Sequence, residues 1–261
     1  MQKEEFIEKF NTDGFVVVPD VFEQTLIRKL KQAILSSLEL QQKIVPENTN
    51  RYYGKLICAP VFGNSFPVFF ELLEQKKWLQ PVEWILDELF ITYLYASSCI
   101  PPDNDKDSQY IHVDLPRLID GYHTGMGVLI NTDDFTEQNG ATLILKGSHH
   151  QTEQPTEEYF RQHASIFTGN AGSVLYFNPS IWHATGYNST AEWRTSAVFG
   201  FSKPWMKQWV DIPRLMQKFN VDTATLSEHT KQLLGFYCQP PDNLEEFSKP
   251  KEERMFRQKT I

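Results

Sequence analysis

Residues 170–183 read Asn170-Ala171-Gly172-Ser173-Val174-Leu175-Tyr176-Phe177-Asn178-Pro179-Ser180-Ile181-Trp182-His183. A turn sequence opens the stretch, residues 173–178 are a short β-rich run, and Asn178-Pro179 turns the chain before a histidine. The same form recurs on both sides, with candidate strands at 126–131, 141–145 and 195–201. Asn139-Gly140 and Lys146-Gly147 punctuate them. Short strands at regular spacing, with no helices between them, predict a sandwich or barrel.

Working outward, the first 95 residues are mixed. Residues 15–18 form a β-branched run ending at Pro19, and Asp20 with Glu23 has the spacing of a capping box. Phe22, Leu26, Ile27, Leu30, Ile34 and Leu38 then recur at helical spacing. Pro81 is expected in the first turn of a second helix, and residues 91–95 are β-rich again. At 261 residues the chain suits one domain: a flank over 1–95, a barrel core over 96–202 and a C-terminal extension over 203–261 with a helix near 223–235. The fold class is mainly β with flanking helices. The polar stretch 146–169 is long for a plain connection, and is expected to fold over the barrel mouth as a lid offering Tyr159, Phe160 and Arg161 to substrate.

Lys and Arg number 25 against 33 Asp and Glu, so no basic excess supports nucleic-acid or anionic-membrane binding. No apolar run is long enough to span a bilayer, and the N-terminus MQKEEFIEKF lacks the apolar core of a signal peptide. The three cysteines, Cys58, Cys99 and Cys238, form no C-x-x-C pair, which disfavours a disulfide scaffold or a structural zinc site and fits a cytoplasmic protein. Nineteen Phe among the aromatics suit an apolar core and a pocket for a small organic molecule. The oligomeric state is left open.

Chemistry concentrates in Gln109-Tyr110-Ile111-His112-Val113-Asp114. On an extended segment His112 and Asp114 share a face. His183 follows a strand and its turn. Two histidines and one carboxylate make the facial triad of non-haem Fe(II) oxygenases, with positions left open for substrates. Arg194 lies eleven residues beyond His183 at the head of the next β-rich run. Its guanidinium fork matches a carboxylate, and Thr185 can add a hydroxyl. Metal plus buried Arg describe a site for a 2-oxo dicarboxylic acid. Other signals are weaker. His149 and His150 are adjacent and, on a strand, would face opposite ways, so they read as turn residues. Trp182 suits core or pocket wall. Arg117 is a solvated loop residue or a substrate contact. Asp103, Asp105 and Asp107 lack the Gly and terminal Glu of a calcium loop.

Read together, His112-Val113-Asp114, Asn131-Thr132-Asp133-Asp134-Phe135-Thr136, Gln138-Asn139-Gly140, Lys146-Gly147-Ser148-His149, residues 172–177, His183-Ala184-Thr185, Arg194 and Phe201-Ser202-Lys203-Pro204-Trp205 resemble the phytanoyl-CoA dioxygenase family of Fe(II)/2-oxoglutarate-dependent oxygenases. The resemblance implies a double-stranded β-helix, a jelly-roll or cupin-like barrel. It implies Fe(II) on His112, Asp114 and His183, 2-oxoglutarate on Arg194 and Thr185, and O2 as oxidant. Similarity to fungal tailoring members adds Gln109 and Thr142 as 2-oxoglutarate contacts. Leu129 stands where many members have Trp, and Lys146 where many have Pro. The implied activity is oxidation of an unactivated C–H bond, chiefly hydroxylation, coupled to decarboxylation of 2-oxoglutarate to succinate. Asp114 argues against a halogenase, which needs a small residue there. A non-enzymatic cupin-like binding or sensor protein is the alternative. The substrate, whether natural-product intermediate, amino acid or lipid-like acid, is not specified.

Overall fold

The protein's structure is a computed structural model that describes residues 1–45, 55–86, 89–104, 109–115, 119 and 121–254. Asp105, Asp107 and Arg117 lie outside the described residues. The strands are β1 (Phe15–Val18), β2 (Lys55–Ile57), β3 (Ile91–Ile100), β4 (Gly125–Asn131), β5 (Leu143–Ile144), β6 (Ser165–Ile166), β7 (Val174–Phe177), β8 (His183–Ala184) and β9 (Arg194–Ser202). They build two antiparallel sheets, a large one in the order β1-β7-β4-β9-β3-β2 and a small one in the order β6-β5-β8. A bridge between His112 and His183 continues the small sheet on its β8 side.

The large sheet is sandwiched. Its outer face carries Tyr95, Val128, Tyr176, Phe199 and Phe201, which pack under the helices α1 (Lys3–Asp13), α2 (Gln24–Ile44), α3 (Val68–Leu73) and α4 (Lys76–Leu86). Burial on both faces explains why β4 and β7 read as unbroken apolar runs rather than alternating ones. In α2, Ile27, Leu30, Ile34 and Leu38 are the buried stripe that the periodicity predicted. The inner face shares an apolar cluster with the small sheet through Leu129, Ile144, Leu175 and Phe177.

Three local expectations change. Asp20 does not cap α2: it has φ +51°, the helix starts at Gln24, and the Glu23 side chain makes no capping bond. The Val21 and Phe22 amides are taken by the Gly172 carbonyl, which keeps the chain extended past the capping-box position. Pro81 lies inside α4, not in its first turn. Its missing N–H costs a helical bond, but Pro81 is buried in an apolar layer with Trp78, Val82 and Leu86. In the C-terminal region the expected helix shortens to α7 (Glu228–Leu233), capped by Ser227 through the Thr230 amide, and is flanked by α6 (Ile212–Lys218) and α8 (Leu244–Ser248).

The stretch 146–169 is structured. It holds a short 3-10 turn over Ser148–His150, then α5 (Glu157–His163), then β6. Phe160 of α5 is fully buried against Ile111, Leu145, Trp182 and Ala184. Tyr159 stacks on His163, and Arg161 pairs with Glu157. α5 therefore covers the outer face of the small sheet, and no residue of 146–169 lines the cavity between the sheets. Phe160 anchors α5 on the back of the barrel, while a second buried phenylalanine of the stretch, Phe167, packs with Leu129, Ile144 and Phe177 in the cluster shared by the two sheets. His149 and His150 do not face apart, because a 3-10 turn does not alternate its side chains. Their rings are 3.9 Å apart and both reach the Asn11 carbonyl.

Candidate active site

A cavity of about 310 Å³ opens between the two sheets. His112, Asp114 and His183 meet on its small-sheet wall. Their potential ligand atoms all lie within 4.8 Å of one another, and each His Nε2 is 3.7 Å from Asp114 Oδ1. The convergence has three local causes. The bridge between residues 112 and 183 exchanges both backbone hydrogen bonds, at 3.0 and 2.9 Å, which puts the two imidazoles side by side with centroids 4.3 Å apart. The Asp114 amide donates to the Pro179 carbonyl, fixing the chain two residues on. The turn at Asn178-Pro179 returns the strand end to the same wall.

The tautomers follow from the neighbours. His112 Nδ1 is 3.1 Å from the Tyr110 carbonyl and His183 Nδ1 is 2.9 Å from the Ile181 carbonyl. A carbonyl only accepts, so each Nδ1 carries a proton, and each Nε2 is the ring nitrogen turned toward Asp114. Burial pulls the His112 pKa down to about 3, helped by His183. That ring is therefore a neutral donor. The Asp114 carboxylate opens 44% of its side chain to the cavity yet sits deep within the protein mass; desolvation raises its pKa and His183 opposes the rise. Two imidazoles and one carboxylate suit a divalent first-row metal and leave coordination positions facing the cavity. Among the described residues no other group of three such side chains converges this way.

Arg194 reaches the same cavity from the head of β9 and is 3% exposed. One terminal nitrogen donates to the Gly140 carbonyl at 2.8 Å, and the guanidinium lies 4.3 Å from the centre of the Phe135 ring. Gly140 has φ +80°, a conformation only glycine adopts freely, and this turns its carbonyl to the guanidinium. Burial pulls the Arg194 pKa down to about 10, with Asp133 opposing, so the side chain stays charged at neutral pH. Its Nε is buried without a hydrogen-bond partner. A buried cation with an unsatisfied donor is costly, and a carboxylate ligand would satisfy it. The donor set thus fits both a metal and a dicarboxylate.

Thr142 and Thr185 also line the cavity. Gln109 does not line it; its carboxamide donates to the Asn104 carbonyl at 3.2 Å. Trp182 is buried core on the outer side of the small sheet.

The family model described as phytanoyl-CoA dioxygenase (PhyH) matches residues 10–196. The chain belongs to the PhyH family. Within it, the protein is 28% identical over 260 residues to the uncharacterized protein Rv1501 of Mycobacterium tuberculosis, covering 96% of this chain and 93% of that one. It is 24% identical over 256 residues to the dioxygenase ALT11 of Alternaria alternata, covering 91% and 83%. Among solved structures, HygX from Streptomyces hygroscopicus with nickel and 2-oxoglutarate bound superposes with a TM-score of 0.61 at 19% identity, over 80% of this chain and 90% of that one. HygX has also been crystallised with hygromycin B. The shared fold is the double-stranded β-helix of PhyH dioxygenases, as the resemblance implied.

Several residues around this cavity were not singled out by sequence. Tyr110 stacks on His112 with centroids 4.6 Å apart; its place two before His112 was the available signal. Phe177 lies 5.3 Å from His183, and nothing in a β-rich run marks it. Asp133 accepts from the Thr195 amide and hydroxyl and from Lys31, bracing the strand head that carries Arg194. It was visible as part of a motif, without a role.

Proposed function

We propose that this protein is an Fe(II)- and 2-oxoglutarate-dependent dioxygenase that hydroxylates an unactivated C–H bond of a small organic molecule. The reading rests on one observation: three converging ligand atoms and a buried arginine with an orphaned Nε face one cavity. Its family membership and the nickel and 2-oxoglutarate in HygX support it. When bound, Fe(II) with 2-oxoglutarate and O2 supplies oxidative decarboxylation to succinate and CO2 together with an oxygen atom for the C–H bond.

The chain's own residues supply the rest. His112 and His183 hold the metal through Nε2, with each ring fixed by its Nδ1–H bond to a carbonyl. Asp114 offsets the metal's charge. Arg194 receives the distal carboxylate of 2-oxoglutarate, with Thr185 and Thr142 beside it. Leu129, Leu175 and Val198 line the cavity with apolar surface and keep water from the reacting groups. The test is Fe(II)- and O2-dependent succinate release by the purified protein. Metal-independent binding of 2-oxoglutarate with no turnover in the presence of any organic extract would instead support a binding protein on this fold.

A further inference from the structure

One cross-sheet row of the large sheet begins beside His183. It pairs Phe177 with Gly127, Gly127 with Gly200, and Gly200 with Leu94. Phe177 locates the row, because its ring is 5.3 Å from His183. All four residues line the cavity. The row nearer Arg194 is filled: Leu175, Leu129 and Val198 all point inward there. The next row carries two adjacent glycines instead.

The two glycines are there for different reasons. A Cβ at Gly127 would sit 2.1 Å from the Phe177 ring, so that position is glycine because the ring lies across it. At Gly200 the backbone is not in the left-handed region, and a Cβ would meet Tyr93 Cδ1 at 3.4 Å, Leu94 Cβ at 3.6 Å and the Leu94 backbone nitrogen at 3.7 Å. Those are ordinary contacts. Neither backbone strain nor a neighbour demands glycine at 200, and glycine inside a strand weakens it. What its absent side chain leaves is space in the cavity wall, on the row that begins with Phe177 beside His183.

The walls of that space are apolar and aromatic. A bulge in β3 between Thr92 and Leu94 turns both Tyr93 and Leu94 to the cavity. Leu56 lines the cavity from β2, and Trp209, 53% exposed, stands at its open side with its amide bonded to the Tyr93 carbonyl. Building on the oxygenase reading above, we propose that the Gly200 row seats the primary substrate, an uncharged, ring-bearing apolar molecule packed on Gly200 and Leu94 and flanked by Tyr93 and Trp209. Gly200 sets the size of the group admitted beside the metal.

The test uses full-length protein loaded with Ni(II) and 2-oxoglutarate, and neutral 1-naphthol as probe, read by fluorescence titration. Hygromycin B serves as the polar comparison. Naphthol is expected to bind and hygromycin B not to compete. Gly200→Ala should weaken naphthol several-fold, and Gly200→Val by about tenfold or more, since a pocket resists even one added methylene at roughly that level. The 2-oxoglutarate titration and thermal midpoint of both variants should match wild type or rise slightly. Adding Leu94→Ala to Gly200→Val should restore naphthol binding by reopening the same volume. Naphthol binding indifferent to residue 200, or displaced by hygromycin B, overturns the proposal. The same samples separate it from the oxygenase reading. Gly200-dependent naphthol binding without any 2-oxoglutarate binding keeps the pocket and discards the oxygenase. Normal 2-oxoglutarate binding with naphthol insensitive to residue 200 does the reverse.

Discussion

The two sheets of this barrel divide labour. In the large sheet, β3 and β9 run ten and nine residues in a nearly continuous ladder, and the sheet packs both against helices and against the cavity. In the small sheet every strand is two residues long. Yet all three metal candidates lie on the small-sheet wall. Long ladders and apolar burial supply stability, whereas short strands joined by turns let side chains from distant residues meet at one point. Arg194 is the exception, a charged group on the large sheet, and it is braced by Asp133, Thr195 and Gly140.

The strongest way to break this contrast is His183→Ala. Removing a metal donor should lower iron-dependent succinate release by more than about 100-fold, while the unfolding midpoint of the metal-free protein stays near wild type. A large drop in that midpoint would show the small sheet to be structural after all.

Phe199→Ala asks the converse. Phe199 is 1% exposed between Tyr95 and Trp78. Its loss should cost about 3–5 kcal/mol in denaturant unfolding, with 2-oxoglutarate affinity of the folded fraction preserved.

Arg194→Ala should weaken 2-oxoglutarate by about 2–5 kcal/mol, hence at least tenfold in a titration. Arg194→Lys should recover little, because an ammonium cannot match the planar fork. An unchanged titration in the alanine variant removes Arg194 from the site.

The smallest effect sharpens the contrast through pH. Burial depresses the folded His112 pKa to about 3, below its ordinary 6.5. A depressed histidine contributes stability above its unfolded pKa, and that stability fades as pH falls from about 6.5 toward 3. Metal-free wild type should therefore lose about 2 kcal/mol more than His112→Gln between pH 7 and pH 5. Parallel unfolding curves for the two proteins would show that this ring is not held neutral by the fold.

Much of the barrel was legible because buried strands bounded by Gly, Asn and Pro turns leave a local signature. The runs at 126–131, 173–178 and 195–201 became β4, β7 and β9 with ends shifted by a residue or so. Where local rules failed, a distant partner had intervened. The Gly172 carbonyl displaced the cap expected at Asp20. Buried Phe160 drew α5 onto the back of the small sheet, and Phe167 tied the end of the stretch 146–169 into the cluster shared by the two sheets.

By itself the sequence determined which side chains could serve the chemistry: His112 and Asp114 two apart, His183 after a strand-ending turn, and Arg194 at the head of a strand. Residue type and short-range spacing are local properties, and they survive without coordinates. Only the tertiary structure decided how those residues meet. The bridge between residues 112 and 183, the carbonyls that set each imidazole tautomer, and the Phe177–Gly127–Gly200–Leu94 row all join segments far apart in the chain. Packing of distant segments has no signature in any one of them, so the shape of the cavity became readable only once both sheets had closed around it.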